Sequence, residues 1–131
     1  LNTNKNNSIT ALENMLDILI VEDEFLLALL NQQIVENAGY NVVGSVTKGE
    51  DAIEFIRANK CDLILMDIFL EGDTDGITAV EHIRKFSKVP VIYVTGNSDP
   101  KAKERAAKTK FSSFLVKPVL PNDLIKAIEL I

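Results

Sequence analysis

The sequence predicts a doubly wound α/β domain: a parallel sheet with helices on both faces. Three observations carry that prediction. Short apolar runs alternate with segments of helical period, five times over between residues 17 and 131. The apolar runs lack the polar alternation of a half-solvated strand, so both faces of each must be covered. No repeat, low-complexity tract or linker follows residue 15, which leaves one unit of packed layers.

In chain order, Asp17–Val21 ("DILIV") is short, apolar and rich in β-branched residues, a buried strand. Residues 24–39 place Leu27, Leu30, Ile34 and Ala38 at helical spacing, with Gly39 where a helix C-terminus favours glycine. Asn41–Val46 ("NVVGSV") is a second strand, and residues 49–59 a helix with Ile53 and Ile56 on one stripe. "DLILM" (62–66) is the third strand. The helix after it, 76–86, carries Ile77, Val80 and Ile83. "VPVIYVT" (89–95) is the fourth strand. Residues 99–110 form the fourth helix, with Asp99 as N-cap and Pro100 in the first turn. "SFLVK" (113–117) is the fifth strand. Residues 121–131 are the fifth helix, with Pro121 at its start and a stripe of Leu124, Ile128 and Ile131.

Bulk composition narrows the class. The chain has 131 residues, 47% hydrophobic and 25% charged, which describes a single folded domain. A net charge of -5 argues against non-specific nucleic-acid binding, which needs a basic surface. One cysteine cannot make an internal disulfide, so a reducing, cytoplasmic compartment is expected. No apolar run approaches the roughly 18 residues of a spanning helix. Residues 1–14 are polar and Asn-rich, unlike a signal peptide. Met15 is the expected native start, with 1–14 an appendage and 15–131 the domain.

Sites in open α/β sheets lie beyond the carboxyl ends of the strands. There the first strand is followed by Glu22-Asp23-Glu24, the third by Asp67, the fourth ends in Thr95-Gly96, and the fifth in Lys117-Pro118. Acids, a hydroxyl and an ammonium would converge on one edge. Carboxylates about 4 Å apart repel by on the order of 4 kcal/mol at an effective dielectric near 20. A hard divalent cation relieves that repulsion, and Mg²⁺ suits one or two carboxylates plus water and phosphate oxygens. A carboxylate could then attack a phosphoryl group while the hydroxyl and lysine hold the transferred oxygens. Asp67 is accordingly expected to be placed for reaction rather than buried.

The stretches "ILIVEDE", "LILMDIFLEGDTDGI", "VIYVTG" and "FLVKPV", in that order, resemble the receiver domain of two-component response regulators. The resemblance covers residues 16–131. It implies a flavodoxin-like (βα)5 fold with strand order 2-1-3-4-5. It implies that Asp67 is the phosphoacceptor, receiving a phosphoryl group from a histidine kinase or a histidine phosphotransfer protein. Asp23 and Asp67 would ligate Mg²⁺ directly, Mn²⁺ being able to substitute, together with the backbone carbonyl of Phe69. Glu22 would help hold the metal through water; aspartate is commoner at that position in the family. Thr95 would move to bond the phosphoryl group, Lys117 would pair with it, and Phe114 would be the aromatic switch that rotates inward. The Lys117-Pro118 bond would be cis. The domain would not be a turnover enzyme, though it would carry intrinsic autophosphorylation and autodephosphorylation chemistry. Its output face, through which it could dimerise or meet a downstream protein or output domain, would be the fourth helix, fifth strand and fifth helix. Phe25 and Leu29, off the core stripe of the first helix, would receive the histidine-bearing partner. No contact with nucleic acid or membrane is expected.

Several details qualify that picture. Gly96 keeps the pocket beside Thr95 open. Phe69 is apolar where a polar residue often assists an attacking water, so slow loss of the phosphate is expected. "EGDTDG" invites a calcium-loop reading, but position twelve counted from Glu71 is His82 and a strand precedes it. Glu71, Asp73 and Asp75 are therefore expected to be a solvated loop. His82 is expected on the surface, and Cys61 is structural. The fourth helix is basic, through Lys101, Lys103, Arg105, Lys108 and Lys110, and lacks large apolar residues before Phe111. It is either a solvated helix or a weakly packed switch element that meets an acidic partner. A haloacid-dehalogenase-type phosphatase would need a second Asp at position 69. A flavin module would need a Ser/Thr/Gly-rich loop where Glu22-Asp23-Glu24 stands. The remaining alternative is a degenerate receiver that binds protein without being phosphorylated.

Overall fold

The structure, a computed structural model, describes residues 15–96 and 99–131; the expected appendage at 1–14 lies outside them. In chain order the elements are β1 (Asp17–Val21), α1 (Phe25–Asn37), β2 (Asn41–Val46), α2 (Gly49–Ala58), β3 (Leu63–Asp67), α3 (Gly76–Ile83), β4 (Val91–Thr95), α4 (Pro100–Ala107), β5 (Ser113–Val116) and α5 (Pro121–Glu129). The five strands form one parallel sheet in the order β2-β1-β3-β4-β5. The strand order implied by the resemblance and the doubly wound architecture read from the pattern are both present.

The period of a strand splits its side chains between two cores. Leu19, Val21, Ile64, Met66, Val91 and Tyr93 face α2, α3 and α4. Ile18, Ile20, Leu63, Leu65, Ile92 and Val94 face α1 and α5. The three central strands are therefore buried on both faces, which is why their sequences read as unbroken apolar runs. Strand β4 begins at Val91 rather than 89, because Pro90 has no N–H to give; its carbonyl accepts from Ile64 at 3.0 Å instead.

Two helical stripes differ from expectation. In α1 the core takes Ala28, Ile34 and fully buried Val35, while Leu30 is half exposed and Ala38 lies on the surface. Leucines crowd every face of this helix, so spacing could not choose among them. In α5 Leu124 and Ile128 are buried as expected, with Ala127 beside them, but Ile131 lies past the helix end and is exposed. In α3 the stripe is as read, with Ile77, Val80 and Ile83 all buried; in α2 Ile56 is buried with Ala52 beside it, and Ile53 is partly buried against the same core.

Helix α4 begins at its expected cap: the Asp99 side chain accepts from the N–H of Lys101 at 3.0 Å, with Pro100 in the first turn. It gives the core only Ala102 and Ala106. The space is filled from the sheet side. Tyr93 is fully buried, with Phe111 and Phe114 at ring-centroid distances of 5.7 and 6.2 Å. The Tyr93 hydroxyl, which burial would otherwise leave unsatisfied, lies 2.8 Å from Thr109 Oγ1.

Candidate functional site

Strands β1 and β3 are neighbours, with Val21 opposite Met66, so Glu22 and Asp67 meet just beyond that pair. One oxygen from each of Glu22, Asp23 and Asp67 lies within 4.8 Å of the others. Strand β4 sets buried Thr95 beside them, since Asp67 pairs with Val94. Lys117 follows β5. Its backbone N–H donates to Thr95 at 2.7 Å, and its Nζ donates to Glu22 Oε1 at 2.7 Å and Asp67 Oδ2 at 3.2 Å. The Lys117-Pro118 peptide is cis, as the resemblance implied. The second Glu22 oxygen accepts from the N–H of Glu24, and Asp23 accepts from the N–H of Glu71 at 3.0 Å. The loop after β3 is thereby held against the acidic cluster.

The electrostatics of the cluster are strained. Burial, and next the charge of Glu22, push the Asp67 carboxyl up to about 7, with Lys117 pulling the other way. Burial would raise Glu22 too, but hydrogen bonds from Lys117 and the Glu24 backbone outweigh it and hold that carboxyl below its usual range. Lys117 sits above its usual value: its burial opposes this, and its two acidic partners prevail. Three carboxylates thus cluster where one ammonium pairs with two of them, Glu22 and Asp67, a surplus of hard anionic oxygen. That donor set fits a Mg²⁺ ion.

Glu22, Asp23, Asp67, Thr95 and Lys117, read from the strand ends, all converge. One expectation is corrected: Asp67 is buried, only 5% exposed, with Lys117 and Glu22 against its carboxylate and the start of α3 packed on its backbone. Gly76 opens that helix and donates its N–H to Ile68 at 2.7 Å. A Cβ at Gly76 would overlap the Asp67 carbonyl oxygen and come within 2.9 Å of Met66. A second correction concerns Asp75, expected in a solvated loop. It is the N-cap of α3, accepting from Thr78 N at 2.7 Å, and it pairs with Arg105 of α4 at 3.0 Å. Sequence reasoning missed both. A glycine at the head of a strong apolar stripe was the available signal, since glycine there has no propensity argument in its favour.

The other candidates are placed as follows. Phe114 is half-buried, 5.8 Å from Phe111, with Lys103 Nζ 5.7 Å above its ring. Phe69 is 49% exposed, and Gly96 is on the surface. His82 is exposed; Cys61 is half-buried and gives its thiol to the Leu63 carbonyl. Phe25 and Leu29 are exposed, as expected, and so are Leu26 and Leu30, which sequence reasoning had not added to that face.

The family model for the response regulator receiver domain matches residues 18–129. The chain belongs to that family. Among curated proteins, this receiver is 35% identical over 113 residues to the transcriptional regulatory protein PdtaR of Mycobacterium tuberculosis, covering 86% of this chain and 55% of that protein. It is 31% identical over 113 residues to the chemotaxis protein CheY of Thermotoga maritima, covering 86% of this chain and 93% of that one. The chain spans about half the length of the curated transcriptional regulators it matches. Among solved structures, the receiver domain of a sensor histidine kinase from Pseudomonas aeruginosa, with a magnesium ion coordinated in its active site cleft, superposes with a TM-score of 0.79. That match has 27% identity and covers 88% of this chain and 95% of that one. Receiver domains are signalling domains of two-component systems, not classical turnover enzymes. They bind Mg²⁺ at an acidic site and interact with histidine kinases or phosphotransfer proteins and with output domains. In this receiver, no helix among the described residues is long and apolar enough to cross a membrane.

Proposed function

We propose that this receiver is the phosphoacceptor switch of a two-component relay, in which Asp67 takes a phosphoryl group from a phosphohistidine. The observation that carries the reading is Lys117 Nζ, 2.7 Å from Glu22 and 3.2 Å from Asp67 at the carboxyl edge of the sheet. One Asp67 oxygen bonds phosphorus as the bond from phosphorus to the imidazole nitrogen breaks. Lys117 can turn from the carboxylates to a phosphoryl oxygen, and the Thr95 hydroxyl can take another. Glu22, Asp23 and Asp67, with the Phe69 carbonyl, would hold Mg²⁺, or Mn²⁺ in its place. Bound there, the ion offsets the repulsion among the acids and the charge on the phosphoryl oxygens.

The transferred group brings roughly two negative charges and new acceptors. Thr95 and Lys117 engage them only in the phosphorylated state, which supplies the differential contacts a population shift needs. Phe114 then moves toward the space that Thr95 leaves, carrying the change to α4, β5 and α5. That face is the proposed site of dimerisation or target contact. The exposed Phe25, Leu26, Leu29 and Leu30 of α1 are the proposed landing surface for the histidine-bearing partner. A cytoplasmic setting belongs to the same reading.

The test is intact-mass spectrometry after incubation with Mg²⁺ and a small phosphodonor. One added phosphate is expected on the wild type and none on Asp67→Asn. No phosphate on the wild type, together with no binding of beryllium fluoride, would refute the switch and favour a degenerate, purely protein-binding receiver. Phe69 leads to a second expectation. The phosphate should outlast minutes in free Mg²⁺, and Phe69→Asn should shorten its lifetime. Loss within seconds from the wild type would count against that role for Phe69.

A further inference from the structure

At the opposite edge of the sheet, the chain contains a second concentration of charge, of the other sign. A cavity of about 380 Å³ is lined by Arg84, Lys88, Lys108, Thr109 and Lys110. These residues come from the C-terminal end of α3, the turn before β4 and the turn before β5, far from the carboxyl ends that carry the acids. Among the described residues, no carboxylate lies within 4.0 Å of any of these four cations. In a chain of net charge -5, four neighbouring cations without an acid need a reason.

One reason is structural. Cations at helix C-termini offset the macrodipole, roughly half a negative charge per helix end. Two helices end here, α3 and α4, so about one of the four positive charges is accounted for and about three remain. Arg84 is also not a loose surface side chain. Its Nε donates to the Thr109 carbonyl at 2.8 Å, and its two terminal nitrogens to Ser87 and Lys110 carbonyls at 3.3 Å each. Three carbonyls fix the guanidinium plane, and the fork still has two N–H groups to offer. Lys110 is turned by a left-handed backbone, φ 58°, immediately after buried Thr109. The arrangement is a fixed Arg fork with three lysines around a concavity large enough for a small ligand.

We propose that this pocket binds a compact polyphosphate, a chain of two or three phosphates either free or carried on a nucleoside. A multiply charged anion matches the surplus of about three positive charges where a single phosphate would leave most of it unmet. The Arg84 fork would take two oxygens of one phosphate, and Lys88, Lys108 and Lys110 the others. The inference does not depend on the phosphoacceptor reading, since no residue is shared between the two sites.

The experiment titrates inorganic tripolyphosphate into the full chain by calorimetry, in metal-free buffer at low and physiological salt, with amide shifts followed by NMR. Saturable one-to-one binding is expected, with shifts centred on Arg84, Thr109 and Lys110. A triple variant, Lys88→Gln, Lys108→Gln and Lys110→Asn, should weaken it by about tenfold or more. Asparagine at 110 tolerates the left-handed backbone. A variant of equal charge change elsewhere, Lys48→Gln, Lys101→Gln and Lys126→Gln, should bind as the wild type does. ATP is the second arm: tighter binding than tripolyphosphate assigns a nucleoside carrier, and equal binding assigns the phosphate chain alone. No saturable binding, equal weakening by both variants, or shifts confined to other surfaces would each overturn the proposal. So would binding of RNA that tripolyphosphate cannot displace.

Discussion

Asp67 shows what a receiver site costs before it does any work. Its carboxyl is pushed up to about 7, against about 3.9 for a free aspartate, by burial and by Glu22. A raised acid pKa contributes no penalty below the unfolded value. The penalty grows as pH rises from about 4 and is complete once pH passes about 7. Asp67→Asn should therefore stabilise the metal-free protein at pH 8, by on the order of 1 kcal/mol, and not at pH 4. Urea denaturation at the two pH values reads this directly, and an Asn variant no more stable at pH 8 would show that Lys117 already balances the cluster. The identity of Asp67 was legible in the sequence because a charge ending an apolar run stands out. Its burial was not legible, because it depends on Glu22 and Lys117, which reach it from strand ends distant in sequence.

At the scale of elements, the seating of α3 decides the geometry of the site. Gly76 brings the helix start onto the backbone of Asp67, and any side chain there would collide with that carbonyl. Gly76→Ala should cost about 2 kcal/mol or more through backbone displacement, and should slow phosphorylation of Asp67 beyond what lost stability explains. Comparing denaturation midpoints with phosphorylation rates at saturating donor separates the two effects. One residue earlier, Asp75 caps the same helix and holds Arg105 of α4. Burial would raise the Asp75 carboxyl, but Arg105 and the Thr78 amide together hold it below the usual range. A depressed acid pKa contributes its stability above the unfolded value and loses it as pH falls through the folded one. Asp75→Ala should cost about 1 kcal/mol at pH 7, and the difference from wild type should shrink below about pH 4. A cost independent of pH would mean that the ionised cap contributes nothing. The helices whose apolar residues form one stripe, α2 and α3, were read correctly from spacing. Helix α1 was not, since leucine on all sides leaves the choice of face to its neighbours. The alanines of α4 were legible only as an anomaly, because the rings that fill their space, Tyr93, Phe111 and Phe114, lie elsewhere in the sequence.

At the scale of the molecule, alternation and unbroken apolar runs were enough for a parallel sheet covered on both faces, since few other folds satisfy both. Strand order came from the family motifs, because nothing in a strand's own residues names its neighbour. One contact described above reaches further than the site it serves. Lys117 bonds Glu22 across 95 residues of sequence, tying the strand made first to the strand made last. As the chain leaves the ribosome, the acids emerge long before their ammonium and cannot form a competent pocket until β5 has docked. The exposed turn at Gly72, with its φ of 98°, offers a place to cut. Two fragments divided there would carry Glu22, Asp23 and Asp67 on one piece and Thr95 and Lys117 on the other. On the proposed function, acceptance of phosphate would then return only on reassembly, and a phosphorylation signal would report that the chain is whole.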